Sequence, residues 1–275
     1  MFCDENIVRM QWEHDRNRHP FIGESFSKER IMECWDDCAS TYTGEEYSSI
    51  RDSIIEDLFV NGVLNKDSIL LDIGCGPGLF AIPFTKYVKK VYCIDSSIPM
   101  LERLSSNTKD VEDGRIEVRN STWEDMKPIS GVNIAFSSLC PALNDPDSIL
   151  RMEAFASDHC VYISSCNHDR GMGLEIWNRL GKDYSFEGYD TKYPYQFLQS
   201  KGRDPILKIY TEIVKRRMTV IQAKDSELRR ISQYRKISPK IEDIVTGVVM
   251  SHQKDGFIDI EQEMRLGVMV WKPKL

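Results

Sequence analysis

The chain has 275 residues, of which 41% are hydrophobic and 29% charged, an ordinary balance for a globular protein. Its 36 basic and 43 acidic residues leave a net charge of −7. That charge disfavours a general nucleic-acid binder, because such a protein needs a cationic surface to displace counterions. No run approaches the roughly 20 apolar residues of a membrane helix, and residues 1–18 lack the apolar stretch of a signal peptide. The sequence therefore predicts a soluble, cytoplasmic protein without a membrane partner.

The eight cysteines fit a reducing compartment if they are free thiols. Several fall inside predicted strands or a glycine-rich turn, which is poor placement for a disulfide framework. Cys34 and Cys38 are four residues apart and share a helix face, but no second close pair or nearby histidine completes a zinc set. We predict mostly buried, small apolar side chains and no metal site.

The predicted elements change character near residue 60. Residues 1–60 are predicted to form a helical cap, since Ile50 to Phe59 follow helical spacing and Asn61-Gly62 supplies a stop. Short apolar strands and helices then alternate over residues 61–166. The predicted strands are 68–73, 91–94, 115–119, 132–136 and 160–163, and the predicted helices are 79–90, 99–107 and 147–155.

Apolar strands that alternate with helices predict a parallel sheet covered on both faces. Right-handed crossovers favour a doubly wound α/β layer, whose ligands bind beyond the carboxyl ends of the strands. Residues 167–203 are aromatic-rich and are predicted to form helices over the sheet edge. In residues 204–275 we predict strands 206–220 and 264–271, joined by a helix at 239–252, as an edge pair that completes the sheet.

The strongest local signal is the segment 71–78, which reads LDIGCGPG. Glycine suits a turn with positive φ or a close approach of the backbone to a ligand. A phosphate-binding P-loop is excluded because Gly78 is followed by Leu79 and Phe80. A dinucleotide fingerprint is weakened because its third glycine comes one position early. The remaining pattern, G-x-G-x-G with Asp72 two residues before it, resembles motif I of the class I S-adenosylmethionine methyltransferases.

The resemblance covers residues 30–165 and, loosely, the C-terminal strands. It implies a Rossmann-like, doubly wound seven-stranded sheet with an N-terminal helical cap and C-terminal edge strands, and S-adenosylmethionine as cofactor. It places the amino-acid part of the cofactor against Asp72, Gly74, Cys75, Gly76 and Gly78. Asp95, at the end of the second strand and followed by Ser96, is implied to bind the ribose, because a carboxylate offers two oxygens to a vicinal diol.

The adenine end departs from the family pattern. Met100 lies where the family packs an apolar side chain on the adenine, and Thr122 replaces the usual aspartate. Trp123 replaces a small residue, and both adenine contact and plain core packing stay open for it. The remaining implied cofactor-binding residues are Ser137 after the fourth strand and Tyr42 in the segment 35–42, which is similar to the cap helix of small-molecule members.

The acceptor side is less defined. Cys140-Pro141 reverses the Pro-Cys order of cytosine-C5 methyltransferases, so pocket lining is favoured over a nucleophilic role. His168 and Asp169 are at the correct edge for an acid/base pair, although a surface loop is the more common outcome. Aromatic residues are candidates for the cap or a lid, with ordinary core as an equal alternative: Tyr47, Trp177, Tyr184, Tyr193 and Tyr195. We assign no catalytic residue.

The functional hypothesis is methyl transfer from S-adenosylmethionine to a small-molecule acceptor by in-line displacement. An RNA or protein methyltransferase is the first alternative, with Lys215-Arg216-Arg217 as a conceivable RNA-contacting stripe, but the acidic net charge argues against it. A non-catalytic module with the same fold and a dinucleotide-dependent oxidoreductase are the others. The acceptor atom, any general base and the oligomeric state are left open.

Overall fold

The computed structural model describes residues 4–18, 28–42, 44, 48–166, 171–181, 189–232 and 236–274. Tyr47, His168, Asp169 and Tyr184 lie outside the described residues, so the roles predicted for them stay predictions. Within the described part, no helix is both long enough and apolar enough to cross a membrane.

A seven-stranded mixed sheet with the order β3-β2-β1-β4-β5-β7-β6 organises the molecule. Neighbouring strands among β1 to β5 are parallel, and β7 runs antiparallel to both β5 and β6. This confirms the predicted doubly wound sheet with an added edge pair. The strands are β1 (Ile69–Ile73), β2 (Lys90–Asp95), β3 (Ile116–Asn120), β4 (Ile134–Ser138), β5 (His159–Ser165), β6 (Ile206–Thr219) and β7 (Phe257–Trp271).

Helices cover the sheet on both faces and enclose its carboxyl edge. They are α1 (Glu5–Arg18), α2 (Lys28–Cys38), α3 (Ser48–Val60), α4 (Ala81–Phe84), α5 (Ile98–Asn107), α6 (Pro146–Leu150), α7 (Met172–Arg179), α8 (Tyr189–Ser200), α9 (Val220–Ser232) and α10 (Pro239–His252). A 3₁₀ helix (Arg151–Phe155) continues α6.

Two predicted elements differ in the structure. The helix predicted over 79–90 is reduced to α4, which contains Pro83. After it, the N–H groups of Thr85 and Lys86 bond to carbonyls three residues back, so the chain tightens instead of continuing as an α-helix. The fourth strand begins and ends two residues later than predicted, because Ser137 and Ser138 belong to it.

The last strand extends further than predicted, and one helix in the C-terminal part was missed. Strand β7 begins at Phe257 instead of residue 264, and α9 was not predicted. Strands β6 and β7 pair along their whole length, whereas β5 pairs with β7 only from Leu266 to Trp271. Residues 211–219 and 257–265 therefore form a two-stranded ribbon that continues past the edge of β5; we call it the C-terminal ribbon.

Buried side chains form separate cores on the two faces of the sheet and a third one beside the C-terminal ribbon. Phe84 and Phe136 belong to the first core, and Trp12 and Trp271 to the second. The third joins α7, α9, α10 and the ribbon through Met172, Ile176, Trp177, Ala223, Ile231, Ile241, Val245, Val248, Val249 and Ile258. The helices beside the ribbon thus pack largely on one another.

Candidate active site

The glycine loop (residues 74–78) turns at the carboxyl end of β1. Gly74, Gly76 and Gly78 have φ of +72°, +52° and +91°, which confirms the backbone requirement predicted for these glycines. The N–H groups of Gly74 and Cys75 both donate to the Ile94 carbonyl of β2, at 2.9 and 3.0 Å. The loop is therefore fastened to the neighbouring strand.

The three glycines differ in what surrounds them. A Cβ added at Gly74 would lie 2.9 Å from the Cβ of Cys140, and one added at Gly78 would lie 3.1 Å from Ile82 Cδ1. No heavy atom lies within 4 Å of a Cβ added at Gly76. Gly74 and Gly78 thus permit close packing within the protein, whereas Gly76 keeps space open.

The Asp95 carboxylate joins the end of β2 to the glycine loop. Its Oδ2 accepts the Gly76 N–H at 2.8 Å, and its Oδ1 accepts the Ser97 N–H at 2.9 Å. Burial raises the pKa of Asp95, and these backbone donors act in the opposite direction. The carboxylate is thereby fixed in place with both oxygens oriented.

Asp72, in β1, is only 2% exposed. Burial, reinforced by the nearby charge of Asp95, raises the pKa of Asp72 to about 8. Among the described residues, no donor bonds to this carboxylate. A buried carboxylate without such a partner is unfavourable when ionised, so the site favours the approach of a positively charged group.

A cavity of about 940 Å³ opens at the carboxyl edge of the sheet. Its floor comes from the ends of β1, β2, β4 and β5 and from the loops that follow β3 and β4. Its roof comes from helices that cross this edge. The roof residues are Arg16 of α1, Ile31, Met32 and Trp35 of α2, Tyr42, Arg51 of α3 and Arg230 of α9.

Helix α2 is held over the cavity from two sides. The Ser97 hydroxyl, at the start of α5, donates to the Asp36 carboxylate at 2.5 Å. On the other side, Cys34 Sγ lies 3.8 Å from the hydroxyl of Ser232, at the end of α9. The helix therefore links the end of the cavity near Asp95 with the C-terminal helices.

Most of the predicted cofactor-binding residues meet in this cavity. Ser137 does not line it: its side chain is fully buried, and its hydroxyl donates to the Ile73 carbonyl at 3.0 Å. Ser138 lines the cavity in its place, and Gly78 packs against α4 and α5. The predicted residues that do line it are Tyr42, Asp72, Gly74, Cys75, Gly76, Asp95, Ser96, Met100, Thr122 and Trp123.

Trp123 combines the two roles that the sequence left open. The residue is 3% exposed, its ring lies 4.7 Å from that of Phe155, and its Nε1 donates to the Ser148 carbonyl at 3.1 Å. It is a core residue that also borders the cavity. Beside it, the Thr122 hydroxyl donates to the Asp125 carboxylate at 2.7 Å.

Cys140 faces the glycine loop from the segment after β4. Burial raises the pKa of Cys140 to about 12, so the sulfur is a neutral thiol near neutral pH. A thiol in this state is a poor nucleophile, which favours the predicted pocket-lining role. The preceding Leu139, which also lines the cavity, has φ of +52°.

The three described aromatic residues that were candidates for a lid follow the alternative, which is packing within the protein. Trp177 is fully buried in the third core. The ring of Tyr193 stacks on Trp12 with centroids 6.4 Å apart, and Tyr195 accepts a hydrogen bond from Gln199. None of the three lines the cavity. Helical spacing predicts that aromatic side chains are buried, but it does not predict the surface against which they pack.

Arginines line the roof and were missed by the sequence analysis. Arg16, Arg51 and Arg230 come from three helices that are distant in sequence. No local motif joins these positions. Only the way in which the helices cross the sheet edge brings them to one cavity.

Residues 70–154 match the family model described as "Methyltransferase domain". This segment contains the glycine loop, Asp95 and the wall formed after β4. The match supports the resemblance of this segment to the class I S-adenosylmethionine-dependent methyltransferases. A 128-residue segment of the chain is 24% identical to an uncharacterized protein of Haemophilus influenzae, over 46% of this chain and 48% of that protein.

A second relative is the 23S rRNA (uracil(1939)-C(5))-methyltransferase RlmD of Aliivibrio salmonicida. It is 29% identical over 125 residues, which are 44% of this chain and 28% of that enzyme. The matches thus span about half or less of the length of these curated relatives.

Solved structures share the fold of this chain at low sequence identity. The YcgJ protein of Bacillus subtilis superposes with a TM-score of 0.53 and 14% identity, over 80% of this chain and 98% of that one. The DhpI–SAH complex gives a TM-score of 0.52 and 12% identity, over 90% and 97%. At such identities the likeness concerns the fold alone.

The residues that line the cavity fit S-adenosylmethionine, the cofactor that the resemblance implies. S-adenosylmethionine carries an ammonium group, a ribose diol and a sulfonium. The buried Asp72 carboxylate, which has no donor among the described residues, suits a cationic group. Asp95 offers two fixed oxygens to a diol, and Gly76 leaves open space beside them.

Proposed function

We propose that this methyltransferase acts on a small-molecule acceptor that is enclosed with the cofactor in the roofed cavity. The observation that carries the proposal is a single space of about 940 Å³ that reaches from Asp95 to Arg230. Ligand cavities of roughly 300–1,000 Å³ are usual, so this space is large enough for a cofactor and a compact acceptor together. Four helices close it from above.

In this proposal the two ends of the cofactor are bound by the floor of the cavity. Asp72 binds the ammonium group, and Asp95 binds the ribose hydroxyls. Met100, Thr122 and Trp123 surround the adenine, and Tyr42 covers the cofactor from the cap. Because Asp95 already accepts two backbone N–H groups, it presents its oxygens to the ribose without reorganisation.

The bound cofactor supplies an electrophilic methyl group on a positively charged sulfur. The protein aligns the acceptor with that carbon and keeps water out. Leu139, Cys140 and Pro141 form the wall beside the glycine loop. The neutral Cys140 thiol positions the acceptor by packing against it. The attacking nucleophile is then an atom of the acceptor itself.

An RNA acceptor is the second candidate, because one matching segment belongs to an rRNA methyltransferase. The basic stripe on β6 gives it little support. Lys215 lies 3.2 Å from Glu261, and Arg217 lies 3.8 Å from Asp259, both across the C-terminal ribbon. These acidic neighbours on β7 lower the positive potential of the stripe, so it offers a weak phosphate-binding surface.

Calorimetric titration with S-adenosylmethionine tests the cofactor site. We expect saturable binding to the wild type; the absence of both heat and a thermal shift at millimolar cofactor would reject the proposal. The acceptor class is tested by incubating the protein and methyl-labelled cofactor with a cell extract that is then fractionated. Label in a ribonuclease-resistant, low-molecular-weight fraction supports a small acceptor, and label that ribonuclease or protease releases from a polymer overturns it.

A further inference from the structure

We propose that the acceptor carries an anionic group, a carboxylate or a phosphate, that is bound by Arg16, Arg51 and Arg230. This inference rests on the proposed function and specifies the acceptor half of the same cavity. Its basis is the separation of charge between the floor and the roof.

Among the described residues, the acidic ones that line the cavity all belong to the floor. Asp72 and Asp95 lie in β1 and β2, whereas Glu124 and Asp145 follow β3 and β4. The basic lining residues of the described part all come from helices, namely α1, α3 and α9. A floor rich in carboxylates suits a cationic cofactor, so an arginine-rich roof is left to bind the other reactant.

The ionic partners of Arg16 and Arg51 leave room for a ligand anion. Arg16 forms no ion pair with any described residue. Arg51 lies 2.8 Å from Asp52, whose side chain is 64% exposed, and exposed pairs of this kind contribute little. Arg230 lies 2.6 Å from Glu227 in the preceding helical turn. At Arg16 and Arg51, a ligand anion can therefore be added without breaking a strong buried pair.

The choice of arginine points to an anion that offers two oxygens for bidentate binding. The sequence contains 18 lysines and 18 arginines, yet no lysine lines the described cavity. The guanidinium presents a rigid fork of donors that matches two oxygens of a carboxylate or phosphate. An ammonium group acts only as a point charge.

An enclosed small anion fits this arrangement better than a nucleic-acid backbone does. The arginines lie inside one cavity and do not follow an exposed groove, and the chain carries a net charge of −7. A polymer would require a cationic surface that extends beyond the cavity.

The test is calorimetric titration of the full chain saturated with S-adenosylhomocysteine. The probes are inorganic phosphate, phenyl phosphate, benzoate and the neutral benzyl alcohol, applied to the wild type and to Arg16→Gln, Arg51→Gln and Arg230→Gln. Arg216→Gln on the exposed face of β6 is the matched control. We expect anion binding, with phenyl phosphate and benzoate distinguishing the two chemistries, and a loss of at least about tenfold in each lining variant. The control should stay within about twofold.

The remaining outcomes separate this inference from the proposed function. If S-adenosylhomocysteine binds but no anion does, or if benzyl alcohol binds as well as the anions, the inference is overturned while the cofactor site stands. If the lining variants lose S-adenosylhomocysteine affinity to the same extent, the arginines serve the cofactor carboxylate and the inference is again overturned. Tighter, salt-dependent binding of a short oligoribonucleotide would overturn it in favour of a polymer.

Discussion

The Asp95 carboxylate accepts the backbone N–H of Gly76 at 2.8 Å. One side chain at the end of β2 therefore fixes the most open position of the glycine loop. The same carboxylate also holds the N–H of Ser97 at the start of α5. A residue proposed to bind the ribose thus also sets the shape of the loop that faces the rest of the cofactor.

Replacing Asp95 by alanine should weaken S-adenosylmethionine binding by roughly 10- to 100-fold. Hydrogen bonds to a charged group contribute about 1.5–3 kcal/mol, and the loop loses its anchor at the same time. Calorimetry measures the change, with the exposed Asp110→Ala as the control variant. Unchanged affinity in Asp95→Ala would remove this residue from the site.

Asp72 should make stability in the absence of cofactor fall as the pH rises. Its pKa of about 8 in the folded state lies above the unfolded value of ~3.9. The folded protein therefore holds a proton that the unfolded chain releases. Stability is greatest below the unfolded pKa and is lost between about pH 4 and pH 8.

The variant Asp72→Asn removes this ionisation and should flatten the decline in melting temperature over that pH range. We also expect it to weaken cofactor binding, since its amide cannot neutralise an ammonium group. Thermal unfolding of both proteins at several pH values measures the first effect. Parallel pH profiles would show that Asp72 is ionised already in the folded protein.

Gly74→Ala should cost more stability than Gly62→Ala. Both glycines have positive φ, +72° and +74°, so each alanine carries a backbone strain of roughly 1–2 kcal/mol. Only at Gly74 does the added Cβ also collide with Cys140, since nothing lies within 4 Å at Gly62. Chemical denaturation measures the difference, and equal losses would mean that Cys140 moves aside freely.

Trp177→Ala should destabilise the protein by about 3–5 kcal/mol without a specific loss of cofactor affinity. The side chain is fully buried in the third core and does not line the cavity. Trp177→Phe, which retains most of the packing, provides a folded variant for the affinity measurement. A weakened cofactor affinity in Trp177→Phe at unchanged stability would restore the lid interpretation.

The side of the cavity formed by the glycine loop and Asp95 was predictable because its sequence signals are local. The glycine spacing, Asp72 two residues earlier and Asp95 at the next strand end all lie within 25 residues. Strand order then follows from the alternation of elements and the handedness of crossovers. The prediction for Ser137 failed because β4 continues through Ser138: Ser137 is a buried residue inside the strand, and Ser138 is the strand-end residue that lines the cavity.

The arginine-lined side of the cavity was not predictable, because helices and strands that are distant in sequence come together to form it. The first half of β7 is stabilised by β6 and not by β5, and its alternating acidic residues, such as Asp259 and Glu261, weakened the strand signal. The pattern of aromatic residues after β5 predicted that they are buried, but not in which of the cores they lie. The division into segments 1–60, 61–166, 167–203 and 204–275 stays a prediction.

The third core has a consequence for how this molecule tolerates change. Helix α9 carries Arg230 to the roof, but it packs with α7 and α10 beside the C-terminal ribbon and apart from the two faces of the sheet. Apart from the contacts of Ser232 with α2, substitutions there are separated from the packing that shapes the glycine loop. Evolution or protein engineering can therefore exchange residues of α9, including Arg230, while Asp95 and the glycine loop keep their packing.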